Sequence, residues 1–338
     1  MLQKSLLVLV LTTLVVPSTA DARLVRLVVE QTRRLADGQA FGRVGPYERL
    51  DGTAYFEVDP NDPLNKGIVN LSRAPRNAKG RVEFSSPFVI LKPADMAKGN
   101  HKIFYAINNR GNKQAIAYFN YGAGGPGGNN PLTAADMGDG FLMREGYTIV
   151  DAGWEGDLAP GGNRLVPKFP VATLPGGKPI VAQVRIEYSD RTIPETGSFT
   201  LPLERLANFA AYPTSTRDTT RSTLTERESL TGAKVPVPSD RWAFGSCPMG
   251  QGSLTPNETD ICLFDGFKTD RLYELIYPAK NPIVMGLAYA VTRDLGSFLR
   301  YATKDDAGNP NPLAESATRV GITRIYSFGG SQSGEYQR

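Results

Sequence analysis

The segment RIYSFGGSQSG, residues 324–334, joins a short apolar strand to a turn of small residues. A strand, a sharp turn with a serine at its tip and a following helix together form a nucleophile elbow. The residues two before and two after that serine must be small, because the helix passes close to the strand. Gly329 and Ser333 occupy these positions. The segment therefore predicts Ser331 as a nucleophile, and an ordinary strand-to-helix turn is the alternative.

The acid and base that would serve Ser331 are not found where this arrangement places them. They are expected after the nucleophile, in the order Asp or Glu and then His. After Ser331 the sequence has one carboxylate, Glu335, and no histidine. The sequence's only histidine, His101, precedes an apolar strand rather than following one. We therefore expect His101 to be an exposed loop residue at the far end of the sheet.

The segments before the turn indicate strands and helices in alternation. HKIFYAIN and YTIVDAGWEGD have the composition of strands, and the helix-like MGDGFLMREG lies between them, which favours a βαβ unit and a parallel sheet. NPIVMGLAYAVTRDLGSFLRYA has apolar residues at three- and four-residue steps, which predicts a helix with one buried face. Nearer the start, LVRLVV, TAYFEV and GRVEFSSPFVILKP predict antiparallel strands.

The sequence therefore divides into five predicted parts. Residues 159–280 are rich in Pro, Thr, Ser and Arg and contain one clear strand, AQVRIEYS, so they are interpreted as an insertion or cap. The parts are a signal peptide at 1–22, a β-rich N-terminal part at 23–98, a first βαβ unit at 99–158, the insertion at 159–280, and a return to the core with the elbow at 281–338.

The first residues predict export. Lys4 precedes an apolar run from 6 to 16, and Ala20-Asp21-Ala22 has the small-x-small pattern that signal peptidase cleaves. The run is shorter than the roughly 20 residues that span a bilayer, although an uncleaved anchor is the alternative. We expect a mature protein that begins near Arg23, is periplasmic or extracellular, and has no stable membrane span.

The two cysteines are expected to form a disulfide. Cys247 and Cys262 lie in a loop-like segment rich in Gly, Pro and Asn, and export would place them in an oxidising compartment. Two unpaired, small apolar residues are the alternative. A closed tetrahedral metal site is excluded, because the sequence has two cysteines and one histidine.

Other motifs give no cofactor or polymer partner. GAGGPG, residues 122–127, fits the dinucleotide pattern, but Pro126 and the following GGNNPL oppose the required helix start, so an oxidoreductase is only weakly indicated. DPNDPLNKG fails as a calcium loop, since Pro63 occupies a ligand position. The net charge of +4 comes without a long Lys/Arg run, which argues against nucleic acid as a partner.

Taken together, ordered segments from about residue 24 onward resemble the exported bacterial alpha/beta hydrolase domain family. They are FGRVGPYERLDGTAYFEVDP, INNRGNK, FLMREGYTIVDAGWEGDL, PIVMGLAYAVTRDLGSFLRY and GGSQSG. The resemblance implies an α/β-hydrolase fold, with a mixed, mainly parallel sheet. It also implies Ser331 as nucleophile and two oxyanion donors, the backbone N–H of Gln332 and the loop around Gly111 and Asn112.

The sequence departs from this family in two respects. Members tend to carry Arg after SQSG, where this sequence has Glu335, and they continue into further strands that hold the acid and the histidine. We therefore expect an N-terminal portion that is incomplete at its C-terminus. The expected function is that of an exported serine hydrolase acting on a small ester-like molecule without a cofactor, lacking acid and base here. A non-catalytic, exported β-rich binding module is the alternative.

Overall fold

The computed structural model describes residues 24–122, 127–204 and 208–338. The predicted signal peptide and most of the GAGGPG segment lie outside the described residues. The described strands and α-helices, in chain order, are β1 (Leu24–Arg34), β2 (Tyr47–Val58), β3 (Val82–Pro93), β4 (Lys102–Ala106), α1 (Ala115–Asn120), α2 (Phe141–Arg144), β5 (Thr148–Ala152), β6 (Val181–Tyr188), β7 (Ser198–Pro202), β8 (Thr223–Arg227), β9 (Val235–Val237), β10 (Trp242–Ser246), β11 (Thr255–Phe267), β12 (Leu272–Lys280), α3 (Leu287–Tyr301), β13 (Ala314–Ser316), β14 (Arg319–Val320), β15 (Arg324–Phe328) and α4 (Gln332–Tyr336).

A six-stranded sheet in the order β1-β2-β3-β5-β4-β15 carries the elbow. The β1–β2, β2–β3 and β3–β5 pairs are antiparallel. The β4–β5 and β4–β15 pairs are parallel. The carboxyl ends of β5, β4 and β15 therefore lie at the same edge of the sheet, where the turn containing Ser331 begins.

The predicted α/β-hydrolase fold with a mainly parallel sheet is wrong. Three of the five pairings in the central sheet are antiparallel, and the other sheets are antiparallel throughout. Among the described residues the α-helices are few, and apart from the 15-residue α3 they are short, since α1 has six residues and α2 has four. The apolar strands around residues 103 and 149 favoured a parallel sheet, and these two strands, β4 and β5, do pair in parallel. The long β2 and β3 hairpin strands instead make the protein β-rich.

Helices cover both faces of the central sheet. On one face, α3 buries Leu287, Val291, Leu295 and Phe298, which confirms the helix predicted from apolar spacing. On the other face, α1 and α2 contribute residues such as Ile116 to a second core. These two layers fix the sheet edge at which the turn lies. Among the described residues, no helix is both long and apolar enough to cross a membrane.

The segment from 159 to 280 contains seven strands, where the sequence predicted one. Two antiparallel sheets, β10-β11-β7 and β6-β12-β8-β9, contribute to a shared core that includes Tyr188, Trp242 and Tyr277. Pro lies inside several of these strands, such as β9 and β11, and because Pro is uncommon inside strands the composition resembled that of loops.

The predicted disulfide is confirmed within this segment. Cys247 follows β10, Cys262 lies in β11, and their sulfur atoms are bonded. Both residues are buried, and Cys262 pairs across the sheet with Ala243. The bridge therefore joins two neighbouring strands of one sheet and is consistent with an oxidising compartment.

Candidate functional site

Ser331 lies at the tip of the turn between β15 and α4. Its backbone has φ 57° and ψ −125°, a conformation that residues with a Cβ rarely adopt. Such strain persists only where the surrounding structure enforces it, and it is enriched at functional sites. The side chain is exposed. The strand, turn and helix that the sequence predicted around Ser331 are therefore present in the structure.

Small residues make this turn possible. A Cβ added to Gly329 would lie 2.3 Å from the Ser333 carbonyl oxygen, and one added to Gly334 would lie 3.1 Å from that of Gly329. Ser333 is buried, and its hydroxyl donates to the Gly330 carbonyl at 2.9 Å and accepts from the Gly330 N–H at 3.0 Å. The turn is thus closed by direct contacts between its two arms.

Gln332, predicted to donate its backbone N–H to an oxyanion, is the first residue of α4. No described residue accepts a hydrogen bond from this N–H, as expected at the start of a helix. The side-chain amide of Gln332 donates to Glu155, a buried residue in the loop after β5. The side chain is thereby directed away from the tip, while the N–H stays beside Ser331.

The loop after β4 reaches the elbow through Asn109, which the sequence did not single out. Asn109 and Asn112 exchange backbone hydrogen bonds of 3.0 and 2.9 Å around a two-residue turn. Arg110 and Gly111 form the turn with φ of 48° and 74°, as type I′ geometry requires. The Asn109 side chain donates to the Gly330 carbonyl at 3.0 Å. This amide ties the loop to the turn.

The predicted donor residues Gly111 and Asn112 occupy this same hairpin. The Asn112 N–H is engaged with Asn109 and is therefore not free for an oxyanion in this structure. Gly111 packs closely on the next loop, because an added Cβ would lie 2.8 Å from Cβ of Arg164. The roles of Gly111 and Gln332 remain predictions. The pattern NRGN between a strand and a helix could have indicated the tight turn.

Two cavities lie beside the elbow, on different sides of it. The aromatic cavity, of about 400 Å³, is lined by residues that include Gln332, Trp154, Phe209, Tyr212, Tyr277 and Met285. The polar cavity, of about 500 Å³, is lined by residues that include Asn109, Arg110, Lys113, Gln114, Tyr118 and Arg164. The first lies between the central sheet and the 159–280 segment, and the second lies beside the loop after β4.

Asp151, near the carboxyl end of β5, and Lys113, which lines the polar cavity, each affect the pKa of the other. Burial raises the pKa of Asp151 to about 7, against the opposing effect of Lys113 and Arg49. Burial likewise lowers the pKa of Lys113 to about 8, although Asp151 acts to raise it. The ammonium of Lys113 donates to the carbonyls of Asn129 and Asn163, at 2.7 and 3.0 Å.

His101 lies at the opposite end of the sheet from Ser331. It immediately precedes β4, whose first residue pairs in parallel with the first residue of β15. Five residues of strand, at about 3.3 Å each, therefore separate the two ends. The Nδ1 atom of His101 lies 3.2 Å from Oε1 of Glu315, and the side chain is half-buried rather than exposed. This imidazole is not placed to serve Ser331.

No family model matches this chain, and neither a curated protein nor a solved structure matches it. The resemblance to exported hydrolases stays a hypothesis.

Proposed function

We propose that Ser331 is the nucleophile of an exported, esterase-type acyl hydrolase. The observation that carries the proposal is the backbone of Ser331, held at φ 57° and ψ −125° between a strand and a helix. This geometry presents the exposed Ser331 at the tip of the turn. The adjacent N–H of Gln332 donates no hydrogen bond to any described residue. Acyl transfer to serine uses the serine hydroxyl and such an amide donor, together with a base that accepts the hydroxyl proton.

In the proposed reaction, Oγ of Ser331 attacks the ester carbonyl carbon and loses its proton to a base. The resulting oxyanion accepts a hydrogen bond from the Gln332 N–H, and the alcohol leaves with a proton as the acyl-serine forms. Water then adds to the acyl-serine and releases the carboxylic acid, restoring the hydroxyl. Cavities of about 400 and 500 Å³ beside the elbow, lined in part by Gln332 and by Asn109, offer space for a small ester.

The proposal does not assign the base to His101, which lies across the sheet. Without a triad base, serine hydrolases keep a residual rate enhancement of about 10³–10⁴ over water from the oxyanion donors and binding. We therefore expect slow acylation of Ser331 in these 338 residues and faster acylation when imidazole is supplied in solution.

The test measures acetylation of the protein by p-nitrophenyl acetate, with and without added imidazole, followed by peptide mapping. We expect acetyl-Ser331 to form on the order of 10²-fold faster than acetyl-Ser327, because one oxyanion donor is worth about that much. Ser327 is the matched site, since it is exposed on β15 but lies outside the turn. Ser331→Ala should abolish the adduct, and Ser327→Ala should not change it. Equal labelling of Ser331 and Ser327 would contradict the proposal that Ser331 is the nucleophile.

Export is the second part of the proposal. The predicted leader and the Cys247–Cys262 disulfide support a periplasmic or extracellular protein, because disulfides persist in oxidising compartments. Intact mass of the protein secreted from its host tests this, with a mature N-terminus near residue 23 as the expected result.

A non-catalytic binding module is the second candidate. It is favoured by the aromatic cavity, because Trp154, Tyr212 and Tyr277 line it and a binding pocket with such a lining needs no nucleophile. Trp154 gives a direct readout, since its fluorescence should respond to a ligand in this cavity. Ligand binding that is equal in wild type and Ser331→Ala, together with no acylation at all, would favour this candidate.

A further inference from the structure

We infer that the polar cavity binds an anionic group of the ester, a carboxylate or a phosphate, with Arg110 as the main contact. The inference rests on the proposed function, since it names the class of ester that Ser331 would attack. It follows from the position of the cavity, from the positive charge of its lining, and from the unpaired side chain of Arg110.

The polar cavity adjoins the residue before the nucleophile. The position of a Cβ on Gly330 is 3.6 Å from Oε1 of Gln114 and 3.7 Å from the hydroxyl of Tyr118. Both of these residues line the cavity, as does Asn109, whose amide donates to the Gly330 carbonyl. A substrate whose carbonyl lies at Ser331 can therefore extend a second group into this cavity.

The lining of the cavity is positively charged. Arg110, Lys113 and Arg164 line it, and the described lining residues include no carboxylate. The guanidinium of Arg164 donates to the carbonyls of Ala159 and Pro160, at 3.1 and 3.2 Å. Lys113 is likewise engaged with neighbouring carbonyls. These two cations supply positive potential, and each is already held by hydrogen bonds to neighbouring backbone carbonyls.

Arg110 differs from them, because its side chain makes no hydrogen bond or ion pair with any described residue, although its backbone carbonyl accepts from the Asn112 amide at 3.2 Å. Its Nε atom is buried without a partner. A buried, unpartnered donor is costly, and such groups are rare in folded proteins unless a ligand or water completes them. The residue also has a left-handed backbone, φ 48°, which the Asn109–Asn112 hairpin maintains. The loop thus holds an unpaired guanidinium at the cavity.

A guanidinium presents a planar fork of donors that matches two oxygens of a carboxylate or phosphate. Oε1 of Gln114, also buried without a partner, could accept a hydrogen bond from a hydroxyl on the same ligand. The cavity therefore suits a small anion that also carries a hydroxyl, covalently joined to the ester group at Ser331.

The test measures binding of succinate and of inorganic phosphate to the wild-type protein by titration calorimetry, with acetamide as the neutral comparison. We expect an anion to bind and acetamide not to bind, and the tighter of the two anions identifies the carboxylate or phosphate source. Arg110→Gln should weaken binding by about tenfold or more, the loss typical of a charged hydrogen bond. Arg110→Lys, which keeps the charge, should weaken it less.

Arg324→Gln is the matched control, because Arg324 begins β15 at the end of the sheet opposite the elbow. It should leave anion affinity within about twofold of wild type, because Arg324 lies farther from the elbow than the Debye screening length. Equal affinities for Arg110→Gln and wild type, or wild-type binding no tighter than that of acetamide, would overturn the inference. The wild-type comparison needs no variant to fold.

The result separates the two proposals. Anion binding through Arg110 without acylation of Ser331 would retain the anion site and reject the hydrolase. Acylation of Ser331 without anion binding would retain the hydrolase and reject the anion site.

Discussion

The backbone of single residues decides whether the turn at Ser331 can form. Ser331 adopts a conformation that carries strain, and Gly329 lies so close to the opposite arm that a Cβ has no room. Gly330, the residue between them, has room for a Cβ, since the nearest atoms would lie at 3.6 Å or more, an ordinary van der Waals contact. Two adjacent glycines therefore have different roles, one sterically required and one not.

Gly329→Ala should disrupt the turn, whereas Gly330→Ala should be tolerated. The new Cβ at residue 329 would meet the carbonyl oxygen of Ser333 at 2.3 Å, and backbone atoms cannot rotate away as a side chain can. We expect a loss of about 1–3 kcal/mol in the free energy of unfolding for Gly329→Ala. Urea unfolding measures this loss, and mapping of acetylated Ser331 measures the effect on the site. Equal stability of the two variants would contradict the steric account.

At the scale of elements, the parallel strands β5, β4 and β15 bring the site together. Their carboxyl ends place Asp151, the Asn109 hairpin and the Ser331 turn at one edge of the sheet. Asp151 is fully enclosed there, which raises its pKa to about 7. Burial at this edge therefore gives Asp151 a raised pKa that a carboxyl in a solvated loop would not have.

Stability should depend on Asp151 as the pH rises. The ordinary pKa of this carboxyl is 3.8 and burial raises it to about 7, so the folded chain binds its proton more tightly than the unfolded chain does. The contribution of Asp151 is therefore most favourable below about pH 4 and is lost as pH rises toward 7. Between pH 5 and pH 7.5, the wild type should lose about 2–3 kcal/mol more than Asp151→Asn.

Urea unfolding of both proteins at the two pH values measures this difference. Asp306→Asn is the control, because Asp306 is solvent exposed, and it should retain the wild-type pH dependence. An Asp151→Asn protein with an unchanged pH dependence would show that burial of this carboxyl does not cost stability as described.

At the scale of the whole molecule, the framework consists of two β-rich parts. The six-stranded sheet with α3 on one face carries the turn, and the seven strands between 159 and 280 surround a core of their own. The aromatic cavity is lined from both, since Trp154 belongs to the first and Tyr277 to the second. The disulfide lies entirely within the second.

Removing the disulfide should destabilise the protein. The bridge closes a loop with a sequence separation of 15, which corresponds to about 3 kcal/mol in the chain-entropy estimate. The double variant Cys247→Ala, Cys262→Ala should therefore unfold at a lower urea concentration than the oxidised wild type. Reductant should lower the wild-type midpoint and leave that of the double variant unchanged. A wild-type midpoint that does not respond to reductant would contradict the prediction.

The sequence by itself determined the local features of this protein. Apolar spacing fixed α3, strand composition fixed β4, β5 and β15, and the glycines and small residues around Ser331 fixed the elbow, because each depends on neighbours within a few residues. The even cysteine count and the predicted export indicated the disulfide, because two cysteines in an oxidising compartment can pair with each other.

Only the tertiary structure decided the sheet and the surroundings of the site. Whether a strand pairs parallel or antiparallel depends on residues far along the chain, and so the mainly parallel sheet was predicted wrongly. The seven strands between 159 and 280 are stabilised by cross-strand packing that their composition conceals. The unpaired Arg110 and the enclosed Asp151 arise in the same way, because burial is a property of what the folded chain brings together.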